Sequence, residues 1–256
     1  MIDSHAHIHD KQFDEDRDAV VARAREAGVT TIVTVGCDLP DSARALAAAR
    51  AYGVYSSVGV HPHEAIDAPE DLAAAFAPLL ADARVVAIGE TGLDYFYDHS
   101  PRDVQQTVLR KQLRIARERD LPVIFHHRDA YDDFLAILRE EFVPGMRGVI
   151  HCFTGDADQA RTYVEEFGLS LGIGGVVTFK TAQALRDAVR EVGLEPLIFE
   201  TDCPYLAPVP LRGKRNEPAF VARTVAFVTE LLGLPPDEVI ARSDARTRSL
   251  FGLRRG

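Results

Sequence analysis

The sequence has few cysteines, no long apolar run and no surplus of basic residues. Its three cysteines are Cys37, Cys152 and Cys203. An odd, scattered set argues against a disulfide framework and for a reducing cytosol. No apolar run approaches the ~18 residues of a membrane span. The chain enters Asp3-Ser4-His5 without a basic and then apolar leader, so the expectation is no secretory signal and a cytoplasmic location. The formal net charge is −10, which counts against a broad basic surface for coating nucleic acid and leaves room for a local patch.

The 256 residues are 46% hydrophobic and 27% charged, enough for one large core, and no composition break marks a second domain within 1–256. One pattern recurs along the chain. A short apolar, β-branched run is followed by polar or glycine residues and then by a stretch of helical period. The runs are Met1–Ile8, Val29–Gly36, Val54–Val60, Val85–Glu90, Pro122–His127, Gly148–His151, Leu169–Gly174 and Leu197–Asp202. Most are too continuously apolar for half-exposed strands and fit parallel strands buried on both faces.

Helices are expected over Asp14–Ala27, Asp41–Tyr52, Pro69–Leu80, Asp129–Glu141, Asp156–Phe167, Thr181–Val192 and Glu217–Leu232. Another runs to about Arg119, with Ser100 as its N-cap, Pro101 in its first turn and acidic Asp103 after it. A last helix covers Pro236–Leu250. Eight strand-helix units imply a parallel sheet and a closed (β/α)8 TIM barrel with an extra C-terminal helix. The open doubly wound alternative would put a glycine-rich phosphate loop after the first strand, where this chain has histidines.

The unusual polar residues fall where those runs end. His5 and His7 share one face of the first strand. His61 and His63 follow the third, Glu90 ends the fourth, His126 and His127 end the fifth, His151 the sixth and Asp202 the eighth. The C-terminal strand ends of such a barrel line its active-site mouth. Singly, each residue has a plain structural reading as a cap, a turn residue or a core histidine. Jointly, so many buried ionisable groups are costly unless they pair or bind metal.

The set His5, His7, Glu90, His126, His151 and Asp202 suits two divalent ions, zinc, manganese, nickel or iron, with magnesium less natural. Six ligands exceed one tetrahedral site, and a pair of ions bridged by Glu90 accounts for the count. Ions about 3.5–4 Å apart activate a water between them. Glu90 and Asp202 are then the catalytic carboxylates, with Asp202 taking the water's proton. The period leaves His126 and His127 as alternatives, because both faces of the strand are buried.

Several stretches resemble the TatD-type metal-dependent deoxyribonucleases of the amidohydrolase superfamily. They are Asp3-Ser4-His5-Ala6-His7, Gly59-Val60-His61-Pro62-His63, Gly89-Glu90-Thr91-Gly92-Leu93-Asp94, Pro122-Val123-Ile124-Phe125-His126 with Arg128-Asp129-Ala130, His151-Cys152-Phe153-Thr154-Gly155, Glu200-Thr201-Asp202-Cys203-Pro204-Tyr205-Leu206 and Arg215-Asn216-Glu217-Pro218. They stand in the family order and cover nearly the whole chain. The resemblance implies a metal-dependent hydrolase acting on DNA, as a 3′→5′ exonuclease on single-stranded or frayed ends. It implies one ion on His5, His7, Glu90 and Asp202 and the other on Glu90, His126 and His151. It favours His126 over His127. Related barrels carry a carbamylated lysine on strand four, which has no counterpart here.

For the substrate, His61, His63, Arg128, Arg212, Lys214 and Arg215 are candidate contacts. The three basic residues after strand eight either bind phosphate or form a solvated loop paired with acidic helices. Arg128 either meets substrate or clamps Asp129 or Asp94. Tyr95, Phe96 and Tyr97 either stack on unpaired bases or pack their own loop. Asp3 and Glu200 either orient histidines or neutralise buried charge. Cys152 and Cys203 read as small buried hydrophobes, and His99 has no evident partner. The competing function is a small-molecule amidohydrolase or esterase, including aminoacyl esters, on the same barrel. A non-catalytic metal-binding barrel is the third reading.

Overall fold

The computed structural model describes residues 1–253. Strands and helices alternate in chain order: β1 (Ile2–Ala6), α1 (Arg17–Glu26), β2 (Thr31–Thr34), α2 (Leu39–Tyr52), β3 (Tyr55–Val58), α3 (Leu72–Leu80), β4 (Val85–Asp94) and α4 (Arg102–Arg119). Then come β5 (Val123–Arg128), α5 (Tyr131–Glu141), β6 (Gly148–Ile150), α6 (Ala157–Arg161), β7 (Ser170–Ile173), α7 (Gln183–Val192), β8 (Leu197–Phe199), α8 (Val221–Leu232) and α9 (Pro236–Phe251). Among the described residues no single helix is long and apolar enough to cross a membrane. Tertiary contacts gather the chain into two compact units, one formed by 1–34 with the chain from 152 onward, the other by 35–151.

In the first unit β1 pairs in parallel with β2, and β7 with β8. A parallel bridge from Ala6 to Cys203 carries the chain beyond β8 alongside the end of β1. The extra C-terminal helix α9 packs on β1 and β8. Its Asp244 accepts the Ile2 N–H at 2.9 Å and lies 3.5 Å from the terminal amine. In the second unit β3, β4, β5 and β6 pair in parallel in that order. The apolar residues of these strands are buried, and α4 lays Val108, Leu109, Leu113 and Ala116 against them.

Two strands depart from simple alternation. Between Asp3 and Ala6, β1 holds one residue more than the matching stretch of β2, and His5 lies there. Between Ile88 and Thr91, β4 holds one more than β5, and Glu90 lies there. Such bulges re-aim side chains beside functional sites. Glu90 therefore does not end its strand. β4 runs on to Asp94, with Gly92 level with His126 and Asp94 level with Arg128. Gly92 has φ +154°, and a Cβ there would overlap the His126 carbonyl oxygen, so only glycine lets the two backbones meet. At the other end of the scale β8 stops at Phe199, and Asp202 sits three residues past it with φ 57°.

Helix starts differ too. Pro101, not Ser100, occupies the N-cap of α4. The Ser100 hydroxyl donates to the His63 carbonyl at 2.8 Å and accepts the Ile66 N–H at 3.1 Å, fastening the 3-10 turn Pro62–Asp67. The expected helix from Asp14 begins only at Arg17, after a 3-10 turn Lys11–Phe13. The expected helix from Asp156 passes into a π turn at Thr162–Glu166. That from Glu217 opens with a 3-10 turn Pro218–Phe220.

Candidate metal centre

In the first unit His5, His7 and Asp202 come together. The Nε2 atoms of His5 and His7 lie 3.3 Å apart, and Asp202 Oδ1 lies 3.8 Å and 3.4 Å from them. Both imidazoles are buried. Backbone hydrogen bonds fix the meeting: Asp202 N–H to the His5 carbonyl at 2.9 Å, and His7 N–H to the Cys203 carbonyl at 2.8 Å. Asp3 anchors the same segment from below. It accepts the Thr201 N–H at 2.9 Å and the Thr201 hydroxyl at 2.6 Å, so its carboxylate steadies the Asp202 segment instead of a histidine ring. Burial pushes the Asp3 carboxyl up to about 8 against those hydrogen bonds. Asn216 is buried and donates to the Thr201 and Tyr205 carbonyls, closing the loop around Asp202 from the far side.

In the second unit three imidazoles converge on one oxygen. Glu90 Oε1 lies 3.1 Å from His126 Nδ1, 3.5 Å from His61 Nε2 and 3.8 Å from His151 Nε2. Asp94, fully buried, faces the other side of His126: its Oδ2 lies 2.9 Å from His126 Nε2 and 3.0 Å from His63 Nε2. His126 is thus spanned by two carboxylates. His127 turns instead toward the rings of Phe134 and Tyr131.

The partners assign the tautomers. His61 Nδ1 accepts the His63 N–H at 3.1 Å, so in the neutral ring the proton sits on Nε2 and points at Glu90. His61 is therefore a donor here. His126 presents Nε2 to Asp94 and Nδ1 to Glu90, so with a cation on Nδ1 the Nε2 proton would go to Asp94, the carboxylate–histidine arrangement that orients a metal ligand. Burial, then the neighbouring His126, hold His61 well below its ordinary pKa. Burial also pulls His126 down, but the Asp94 and Glu90 hydrogen bonds outweigh it and the net shift is upward. Asp94 is pushed up by burial and pulled further down by His126 and by the backbone N–H of Tyr97, ending below the usual carboxylate range.

Both groups fit divalent cations by the chemistry of their donors. In each, imidazole nitrogens lie 3.1–3.8 Å from one carboxylate oxygen, a spacing that a shared cation can draw together. Asp94 is the functional residue that sequence reasoning left out of the site. Its signal is the Gly92-Leu93-Asp94 stretch that follows the expected strand end at Glu90.

The expected substrate contacts separate. His61 and His63 lie against Glu90 and Asp94. Arg128 clamps neither Asp129 nor Asp94: its guanidinium carbon lies 3.9 Å from the Phe96 ring centroid and 4.9 Å from that of Tyr97. Arg215 is not available to phosphate. It pairs with Asp16 through both terminal nitrogens at 2.9 Å and 2.7 Å and donates to the Gln12 carbonyl. Arg212 stacks 4.1 Å from the Phe179 centroid, and Lys214 is exposed. His99 has partners after all, the rings of His63 at 4.5 Å and Tyr97 at 5.5 Å. Glu200 accepts the Cys152 N–H at 2.6 Å. Cys203 is buried, which pushes its thiol pKa up, while Cys152 is half-buried.

A family model described as TatD related DNase matches residues 2–252. Over 254 residues the chain is 41% identical to the uncharacterized metal-dependent hydrolase YabD of Bacillus subtilis, spanning 99% of both chains. It is 38% identical over 261 residues to the 3′-5′ ssDNA/RNA exonuclease TatD of Klebsiella pneumoniae, spanning 99% of this chain and 98% of that one. Among solved structures, the TatD homologue YjjV of Escherichia coli superposes with a TM-score of 0.92 at 33% identity, over 99% of this chain and 98% of that one. The fold class is accordingly the (β/α)8 barrel that the alternation of strand and helix predicts.

Proposed function

The chain belongs to the TatD-related DNase family of metal-dependent hydrolases, and from that membership we propose that it hydrolyses phosphodiester bonds at the 3′ ends of single-stranded or frayed DNA. The observation that carries the reading is the convergence of three imidazoles on Glu90 Oε1, with Asp94 holding Nε2 of His126 so that Nδ1 faces it. Relatives named as single-strand DNA/RNA exonucleases, at 38% and 40% identity over almost the whole chain, point that chemistry at phosphodiesters.

His5, His7 and Asp202 would hold one divalent ion, and His126, His151 and Glu90 another. Bound there, the ions would supply an activated water and neutralise the charge growing on the phosphoryl oxygens. Asp202 is the proton acceptor for the attacking water, its backbone segment held in place by the bonds of Thr201 to Asp3 and of Asn216 to the Thr201 and Tyr205 carbonyls. His61 is a neutral donor at the pH of the cell and presents its Nε2 proton to Glu90 or to a phosphate oxygen that displaces it. Asp94 keeps His126 and His63 oriented while substrate enters.

The test is digestion of a 3′-labelled single-stranded oligonucleotide by the purified chain with added manganese or magnesium, beside Glu90→Gln. Stepwise loss of the label by the wild type and not by the variant supports the reading. An intact oligonucleotide, with metal-dependent turnover of an aminoacyl ester or amide by the same preparation, would replace it with the small-molecule hydrolase.

A further inference from the structure

Two aromatic rings stand in water beside the Asp94 cluster. Phe96 is 54% and Tyr97 52% exposed, although each carries a large apolar face. Single exposed apolar residues are ordinary on a protein surface. This pair is built. Asp94 Oδ1 accepts the N–H of Phe96 at 3.0 Å and of Tyr97 at 2.9 Å. The buried Gln105 receives the Asp94 N–H at 2.8 Å and donates to the Asp94 and Ser100 carbonyls, spanning the loop from end to end. The rings meet edge to face at 4.9 Å, and the Arg128 guanidinium carbon lies 3.9 Å from the Phe96 centroid, within cation–π range. Tyr97 also touches the imidazole of His63, whose Nε2 lies on the other Asp94 oxygen.

Core packing would have buried these rings, and the loop does not do so. Instead the fold holds two aromatic rings set edge to face and a guanidinium in one preorganised cluster, next to the histidines that Asp94 orients. Aromatic faces and arginine planes are what unpaired bases stack on, and any base offers a matching face. We propose that Phe96, Tyr97 and Arg128 form a stacking subsite for one nucleobase of an unpaired strand, next to the phosphate being cut. The proposal rests on the phosphodiesterase reading for its substrate class. It explains why a chain of net charge −10 would grip single strands. The contact is with the base, and Arg128 supplies a local positive charge without a broad basic surface. It also favours frayed over paired ends, because a paired base has no free face.

The experiment measures binding apart from cleavage. The full chain, in chelator, is titrated into a fluorescent single-stranded thymidine octamer and read by anisotropy. Phe96→Ala weakens binding by about 5- to 100-fold. Phe96→Tyr, which keeps the face, stays within about twofold of wild type. A series of octamers with one abasic nucleotide reproduces the loss at a single position, and there Phe96→Ala costs nothing more. Equal affinity of Phe96→Ala and wild type for the intact octamer overturns the subsite, as does an undiminished effect of the variant on every abasic octamer. Cleavage of the same octamer by wild type with manganese is scored separately. Binding that follows this pattern without cleavage would leave the subsite standing and sink the exonuclease reading.

Discussion

The Asp94 carboxylate lies 2.9 Å from Nε2 of His126, so that nitrogen is already taken and Nδ1 is the one left to face Glu90. Replacing Asp94 by asparagine keeps the shape and removes the charge. Loss of such an orienting carboxylate typically weakens metal affinity by about 10–100-fold. A competition titration with zinc or manganese on Asp94→Asn checks this, with the melting temperature of the metal-free protein as a control for folding. Unchanged affinity would refute the role given to Asp94.

The two donor groups should empty independently. His7→Ala removes one of the three donors His5, His7 and Asp202 and touches none of those around Glu90. Elemental analysis after dialysis should find about one equivalent of metal lost relative to wild type, with the other retained. Activity should fall with it, by about 10²–10⁴-fold for the loss of a positioned proton acceptor in Asp202→Ala. Loss of both equivalents from His7→Ala would mean that the groups do not load separately.

His127 makes stability depend on pH. Burial, helped by the charge on His126, lowers it from 6.5 to about 4. The folded state therefore binds fewer protons than the unfolded chain between those values. Its contribution is fully present above pH 6.5 and is lost as pH falls toward 4. His127→Gln should flatten the decline of the thermal midpoint across that window compared with wild type. Parallel profiles for the two proteins would show that the ring is not kept neutral by its surroundings.

The basic residues after β8 should divide by function. Arg215 spends its charge on Asp16, an ion pair on a partly exposed surface worth about 0–1 kcal/mol. Arg215→Gln should lower the melting temperature slightly and leave the salt dependence of oligonucleotide binding unchanged. Lys214 is exposed, and if it meets a phosphate then Lys214→Gln lowers the slope of log affinity against log salt by about 0.7. A slope that changes for Arg215 and not for Lys214 would reverse the assignment.

The strand-helix alternation is legible in the sequence because runs such as Val85–Ile88 are continuously apolar and helices stop at Gly53 and Gly233. The polar residues that close those runs are visible for the same reason. Asp94 is not, because Thr91-Gly92-Leu93 looks like the start of a turn. The strand survives there only because glycine permits contact with the His126 backbone, a fact of tertiary structure. The bulges at His5 and Glu90 are equally hidden, since an extra residue on one strand has meaning only against its partner. Arg215 looks in sequence like any loop cation, and its partner Asp16 is 199 positions away. The backbone course of the loop that carries Phe96 and Tyr97 likewise depends on Gln105, whose own helix gives no sign of it.

That glutamine separates two kinds of change. It is rooted in α4 and grips only main-chain atoms of the Asp94–Ser100 loop. The identities of the side chains that the loop displays are therefore free to drift while Asp94 keeps its place. Under the stacking proposal, single substitutions at 96 and 97 would change which bases the loop accepts without altering the contacts of Asp94 with His63 and His126. Selection would then act on the displayed rings and on the buried histidines as separately heritable parts.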